Sequence, residues 1–137
     1  MSTLGSIVLP DDLQWADEYT SWKVGQVIRP SLSGALIIQE AAMQAGRPVT
    51  LQSQDLGGGT YVAPIRLDTL EALRALEETA GAAPLVLEIP AAGGGSRTMT
   101  VKWRRTGEPA IEARPIKFIV PAEAADYFFV TLRLIQV

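Results

Sequence analysis

The stretch Leu85-Val-Leu-Glu-Ile-Pro-Ala-Ala-Gly-Gly-Gly-Ser-Arg-Thr-Met-Thr-Val-Lys-Trp103 decides the fold class. Leu85, Leu87 and Ile89 point one way in a two-residue period. After Ala92-Gly-Gly-Gly-Ser96 the period resumes, with Met99, Val101 and Trp103 on one side and Thr100, Lys102 and Arg104 on the other. Two alternating runs joined by a short glycine-rich loop predict an antiparallel β-hairpin.

Just upstream the period is that of a helix. Leu67, Leu70, Leu73 and Leu76 form an apolar stripe, while Arg74 sits three residues after Glu71 and four before Glu78, in reach of both. Asp68 followed by Glu71 has capping-box spacing, Gly81 suits a left-handed stop, and Pro84 prevents resumption. The expectation is a helix over roughly 68–80.

Downstream, 111–119 changes phase at Pro115, which cannot donate to a ladder, so an edge or a bulge is expected there. The run 128–137 alternates Phe128, Val130, Leu132 and Leu134 against Phe129, Thr131, Arg133 and Ile135, as a strand tied into a sheet would. Upstream, Ile7–Leu9, Leu36–Gln39 and Val49–Gln52 read as strands, 40–46 is ambiguous, and 53–66 reads as a flexible Gly-rich loop around Gly57, Gly58 and Gly59. One helix cannot cover both faces of a parallel sheet. The expected class is α+β, mainly antiparallel β: a β-sandwich or small barrel with one packed helix.

The chain has 137 residues, enough for one domain, and 35 of them are Leu, Ile or Val. A net charge of −3 argues against general affinity for DNA or an anionic membrane. Cysteine and histidine are both absent, which excludes disulfides, Cys/His zinc sites, haem with a His or Cys ligand, and Ser–His or Cys–His nucleophiles. No apolar run is long enough for a membrane helix, and the start lacks the basic region of a signal peptide.

No stretch carries a catalytic, cofactor or metal pattern. Asp11, Asp12, Asp17 and Glu18 lack calcium-loop spacing, and the glycine triplets at 57–59 and 93–95 match neither phosphate-loop nor dinucleotide motifs. Residues 1–30 instead read as an acidic, aromatic N-terminal arm or first strands. The basic cluster Lys102, Arg104 and Arg105 suits an acidic neighbour, such as the N-terminal segment of another copy. Leu36–Ile38 and Phe128–Phe129 are apolar in both phases, and aromatics gather toward the termini, as in a subunit completed by assembly. Trp15, Tyr19, Trp22, Ile38, Trp103, Arg104, Phe128 and Phe129 are the candidate interface residues.

Several strings resemble short tail-tip proteins of long-tailed, non-contractile bacteriophages: Leu9-Pro-Asp-Asp-Leu-Gln-Trp15, Ser31-Leu-Ser-Gly-Ala-Leu-Ile-Ile-Gln39, Ala45-Gly-Arg-Pro-Val-Thr-Leu51, Leu67-Asp-Thr-Leu-Glu-Ala-Leu-Arg-Ala-Leu76, Ile111-Glu-Ala-Arg-Pro115 and Thr131-Leu-Arg-Leu-Ile135. The layout is similar to the distal tail proteins and to minor tail protein M of lambda-type phages. That resemblance implies a structural virion protein with a belt-type domain and no catalytic positions or cofactor. It would be made in the host cytoplasm and built into the tail tip as a six-fold ring.

Its partners would be copies of itself, the tail-tube protein, the baseplate hub with other tail-tip proteins, and the tape-measure protein. DNA would cross the lumen without specific binding, past acids of the 53–64 or 106–112 segments. Larger distal tail proteins add a carbohydrate-binding-like domain for which this chain is too short. Two alternatives remain. One is a tail-tube or tail-terminator ring subunit, marked by a long inserted hairpin for which 53–66 is the only candidate. The other is a small carbohydrate- or peptide-binding β-module.

Overall fold

The computed structural model describes residues 1–20, 23–117 and 120–137. The chain begins with three short strands, β1 (Ser2–Leu4), β2 (Ile7–Leu9) and β3 (Gln14–Trp15). A long hairpin follows, β4 (Val24–Pro30) and β5 (Leu36–Ala42), and then β6 (Pro48–Gln52). A small hairpin, β7 (Gln54–Gly57) and β8 (Thr60–Val62), leads through β9 (Ile65–Arg66) into the helix α1 (Leu67–Glu77). The chain ends with β10 (Leu85–Pro90), β11 (Ser96–Trp103), β12 (Ile111–Pro115) and β13 (Tyr127–Gln136).

Among the described residues, nine strands form one antiparallel sheet in the order β2-β1-β10-β11-β13-β6-β3, with β12 and β9 also paired to β13. The fold is therefore α+β and mainly antiparallel, as its alternating runs require; of the two forms expected, the closed small barrel is ruled out, because the sheet stays open.

Strand β13 organises this sheet. Its N-terminal half pairs with β12 and β9, and its C-terminal half with β11 and β6. Val130, Leu132 and Leu134 are buried on one face, at 2%, 0% and 0% exposure. That face joins Leu4, Leu87, Val101, Val49 and Leu51 in one apolar core, closed by Leu70 and Leu73 of α1. The β10–β11 hairpin has the register that its sequence dictates, Leu87 opposite Met99 and Leu85 opposite Val101.

The helix starts at Leu67, one residue ahead of the expected start, and ends at Glu77, three residues short of the expected end. Arg66, not Asp68, is the N-cap residue, and it caps with no side chain. Because β9 runs straight into α1, the first helical amides donate to backbone carbonyls of the segment ahead of β13: Leu67 N to Asp126 O at 2.9 Å and Asp68 N to Ala124 O at 3.4 Å. Asp68 Oδ1 accepts only the amide of Thr69, at 2.8 Å. At the other end α1 stops at Glu77, because the Arg105 guanidinium takes the Glu77 carbonyl and carboxylate. Gly81, at φ +69°, makes a later turn rather than the stop. The ion pairs of Arg74 with Glu71 and Glu78 form at 3.8 and 3.6 Å.

The 53–66 stretch, expected as a loop, contains the β7–β8 hairpin and β9. Gly58 and Gly59 supply the positive φ of the β7–β8 turn. Ser53 Oγ anchors the base, donating to Ala63 O at 2.7 Å and accepting from Val130 N at 3.2 Å. Pro115 ends β12, whose only described neighbour is β13, so the expected edge is there. The phase-shifted end of that run, at Phe118, lies outside the described residues. No helix of the described residues is long and apolar enough to cross a membrane.

Candidate assembly surface

The strands that carry Ile38 stand apart from the sheet. Among the described residues β4 and β5 pair only with each other, Val24 opposite Ala42 through Pro30 opposite Leu36, and their tip turns on Ser31 N donating to Ala35 O at 2.7 Å. Every residue of both strands is exposed except half-buried Gly25. The pleat sorts this arm into two faces. One carries Val24, the hydrogen-bonded Gln26–Glu40 pair, Ile28, Ile38, Pro30 and Leu36; the other carries Val27, Gln39, Arg29 and Ile37. Leu32 stands fully exposed at the tip.

A two-stranded hairpin is marginal alone in water. Covering the exposed parts of Val24, Ile28, Leu36 and Ile38 would return on the order of 1 kcal/mol each. The strand at Leu36–Gln39 was legible from its apolar run. Its partner β4 was not, since Val24-Gly-Gln-Val-Ile-Arg-Pro30 neither alternates cleanly nor forms an apolar run.

Two candidate interface residues are core residues instead. Trp15 is 8% exposed because β3 pairs with β6 and lays its indole against the core. The Arg47 and Arg97 guanidinium groups both lie over its ring, at 4.6 and 5.2 Å from the centroid. Its Nε1–H donates to Asp17 Oδ1 at 2.7 Å, and Asp17 also accepts the Thr50 amide at 3.0 Å and the Thr50 hydroxyl at 2.9 Å. Trp103 is likewise 8% exposed, on the inward face of β11, and its indole N–H has no hydrogen-bond partner among the described residues.

The acidic N-terminal segment meets basic side chains of its own chain, whereas the sequence pointed to another copy. Glu18 pairs with Arg97 at 2.8 Å, its carbonyl accepts from Arg47, and Arg104 reaches the Thr50 hydroxyl beside Asp17 at 3.3 Å. The expected basic cluster disperses: Arg104 is half-buried there, Arg105 holds the end of α1, and Lys102 is exposed. Tyr19 is 82% exposed, and Trp22 lies outside the described residues.

Phe128 is half-buried against the core, and Phe129 is half-buried on the opposite face. There Phe129 meets Tyr61 edge-on at 5.2 Å and lies beneath the Arg114 guanidinium at 4.9 Å. The acids of the 106–112 connection, Glu108 and Glu112, both pair with Arg133, at 2.9 and 3.1 Å. Asp11 accepts the Ser2 amide at 2.6 Å, which holds its carboxyl below the ordinary value. Among the described residues no three acidic side chains gather as a metal site would need.

Open grooves flank β12. One of about 550 Å³ runs past Asp55, Arg114 and Phe129 on the outer face. Another, of about 540 Å³, lies on the inner face between β12 and α1, over Leu67, Ile111, Ala113 and Phe128. Compared with known protein families, curated proteins and solved structures, the chain finds no match.

Proposed function

We propose that this chain is a structural subunit of a bacteriophage tail, forming a ring of six at the tail tip that joins the tube to the baseplate hub and fibres and lets DNA pass. The observation that carries the reading is the β4–β5 arm, an exposed apolar ribbon that pairs with no other strand among the described residues. Such a ribbon gains stability once a neighbour covers it. A subunit that offers one surface to a different surface of the next copy builds a ring when the rotation closes. The similarity of its sequence strings to tail-tip proteins supports the setting of that ring.

The lumen wall of this ring carries acids, drawn from Asp55, Glu108 and Glu112, so that DNA slides without sticking. A density map with a mainly Arg-lined lumen would overturn that element.

The same arm favours a second reading, a tail-tube ring subunit. The long inserted hairpin that stacks tube rings has a candidate at 24–42, where the sequence alone offered only 53–66. Light scattering on the eluting protein, followed by electron microscopy, tests both. Single closed rings with a central channel are expected for the tip position, and stacked tubes for the tube position. A chain that stays monomeric both alone and when mixed with the tube and hub proteins of its source genome overturns both readings.

A further inference from the structure

We propose that the arm of one copy docks on the neighbouring copy by adding β5 to the free edge of β12, with Leu36 and Ile38 covering the groove between β12 and α1. This rests on the ring reading and names the two surfaces that would meet. The chain carries both halves of the contact, and among the described residues neither is covered by a further strand. On one side is a ribbon whose tip half has an apolar face, Ile28, Ile38, Pro30 and Leu36, with the Gln26–Glu40 pair next to it toward the base. On the other is an edge strand beside an uncovered apolar groove: β12 pairs only with β13, and Ala113 is exposed while Ile111 and Phe128 are only half-buried.

The donor strand and the faces follow from the register. β4 ends in Pro30, which has no N–H to give, whereas β5 holds no proline and can present an unbroken row of donors and acceptors. Ile111 and Ala113 share the inner face with Leu132 and Val130, their cross-strand partners. With β5 alongside, the Leu36 and Ile38 face turns inward over the groove. The mixed face, with Val27, Ile37, Gln39 and Arg29, turns outward beside Glu112 and Arg114. Two different patches of one chain make a heterologous contact, the kind that propagates around a ring.

The chain has no cysteine, so introduced thiols report cleanly. Leu36→Cys and Ile38→Cys proteins are each mixed with Ala113→Cys protein under mild oxidation, with Thr98→Cys, on the exposed face of β11, as the control partner; the wild type is sized in parallel. The expected result is a mixed disulfide with Ala113→Cys, at least roughly tenfold over the control because docking raises the effective concentration of the two thiols. The Ile38→Cys/Ala113→Cys double variant should then give a ladder ending at the size of the wild-type ring. If the wild type forms rings but neither arm thiol prefers Ala113→Cys to the control, the docking is overturned and the ring stands. If the wild type is monomeric under every condition and no mixed disulfide forms, both fall.

Discussion

Ile28 and Ile38 face each other directly across the β4–β5 ladder, 55% and 50% exposed, and neither strand pairs with another among the described residues. In a core strand such a pair would stabilise the chain that contains it. Here it holds two strands together and offers the rest of its surface outward. Ile38→Asp is therefore expected to leave the melting temperature of the dilute monomer nearly unchanged, within about 0.5 kcal/mol of stability. Sedimentation or light scattering at high concentration should show self-association reduced or lost. A substantial fall in monomer stability would mean that the arm folds onto its own sheet.

The tryptophans at 15 and 103 are equally buried but differ in their polar surroundings. Trp15 donates to Asp17, which also holds Thr50, and two guanidinium groups lie over its ring. Trp103 buries an N–H that meets no acceptor among the described residues. Trp15→Phe leaves Asp17 short of a donor and should cost about 2–3 kcal/mol, whereas Trp103→Phe removes an unsatisfied group and should cost less than about 1.5 kcal/mol. Urea unfolding midpoints of the two variants check the order; equal losses would contradict it.

Asp68 looks like a helix cap in the sequence, and a cap would be worth about 1 kcal/mol. In the fold the Asp126 and Ala124 carbonyls take the first amides of α1, while Asp68 keeps an exposed ion pair with Arg66 at 3.3 Å and the neighbouring amide. Asp68→Ala is therefore expected to cost about 0.5 kcal/mol or less. Thermal unfolding followed by circular dichroism measures it, and a loss of a full cap's worth would return the capping role to Asp68.

Asp11 accepts the Ser2 amide, with a weaker contribution from the N-terminal ammonium 3.8 Å away, and both favour its charged form. Its folded pKa lies below the ordinary 3.8, so its contribution is present above that value and is lost as the pH falls through the folded pKa. Asp11→Asn should lower the melting temperature at neutral pH, and the gap from the wild type should close by about pH 2. A gap that persists undiminished in acid would assign its effect to something other than charge.

How much of this was legible can be argued element by element. The β10–β11 hairpin, the β13 alternation, the leucine stripe of α1 with its Arg74 pairs and the Pro115 edge are local patterns. Period, turn residues and residue spacing act within a few positions, so the amino-acid order determined them, and with them the mainly antiparallel α+β class. The caps of α1, the anchored β7–β8 ribbon and the positions of the tryptophans depend on groups far away in the chain: the carbonyls at 124 and 126, the Val130 amide, and Arg47 and Arg97 about Trp15. An aromatic residue reads the same in sequence whether it is buried or displayed. Only the packing of the chain sent Trp15 and Trp103 inward and left Ile28 and Ile38 in the open, because burial is decided by which distant strands arrive to cover a side chain.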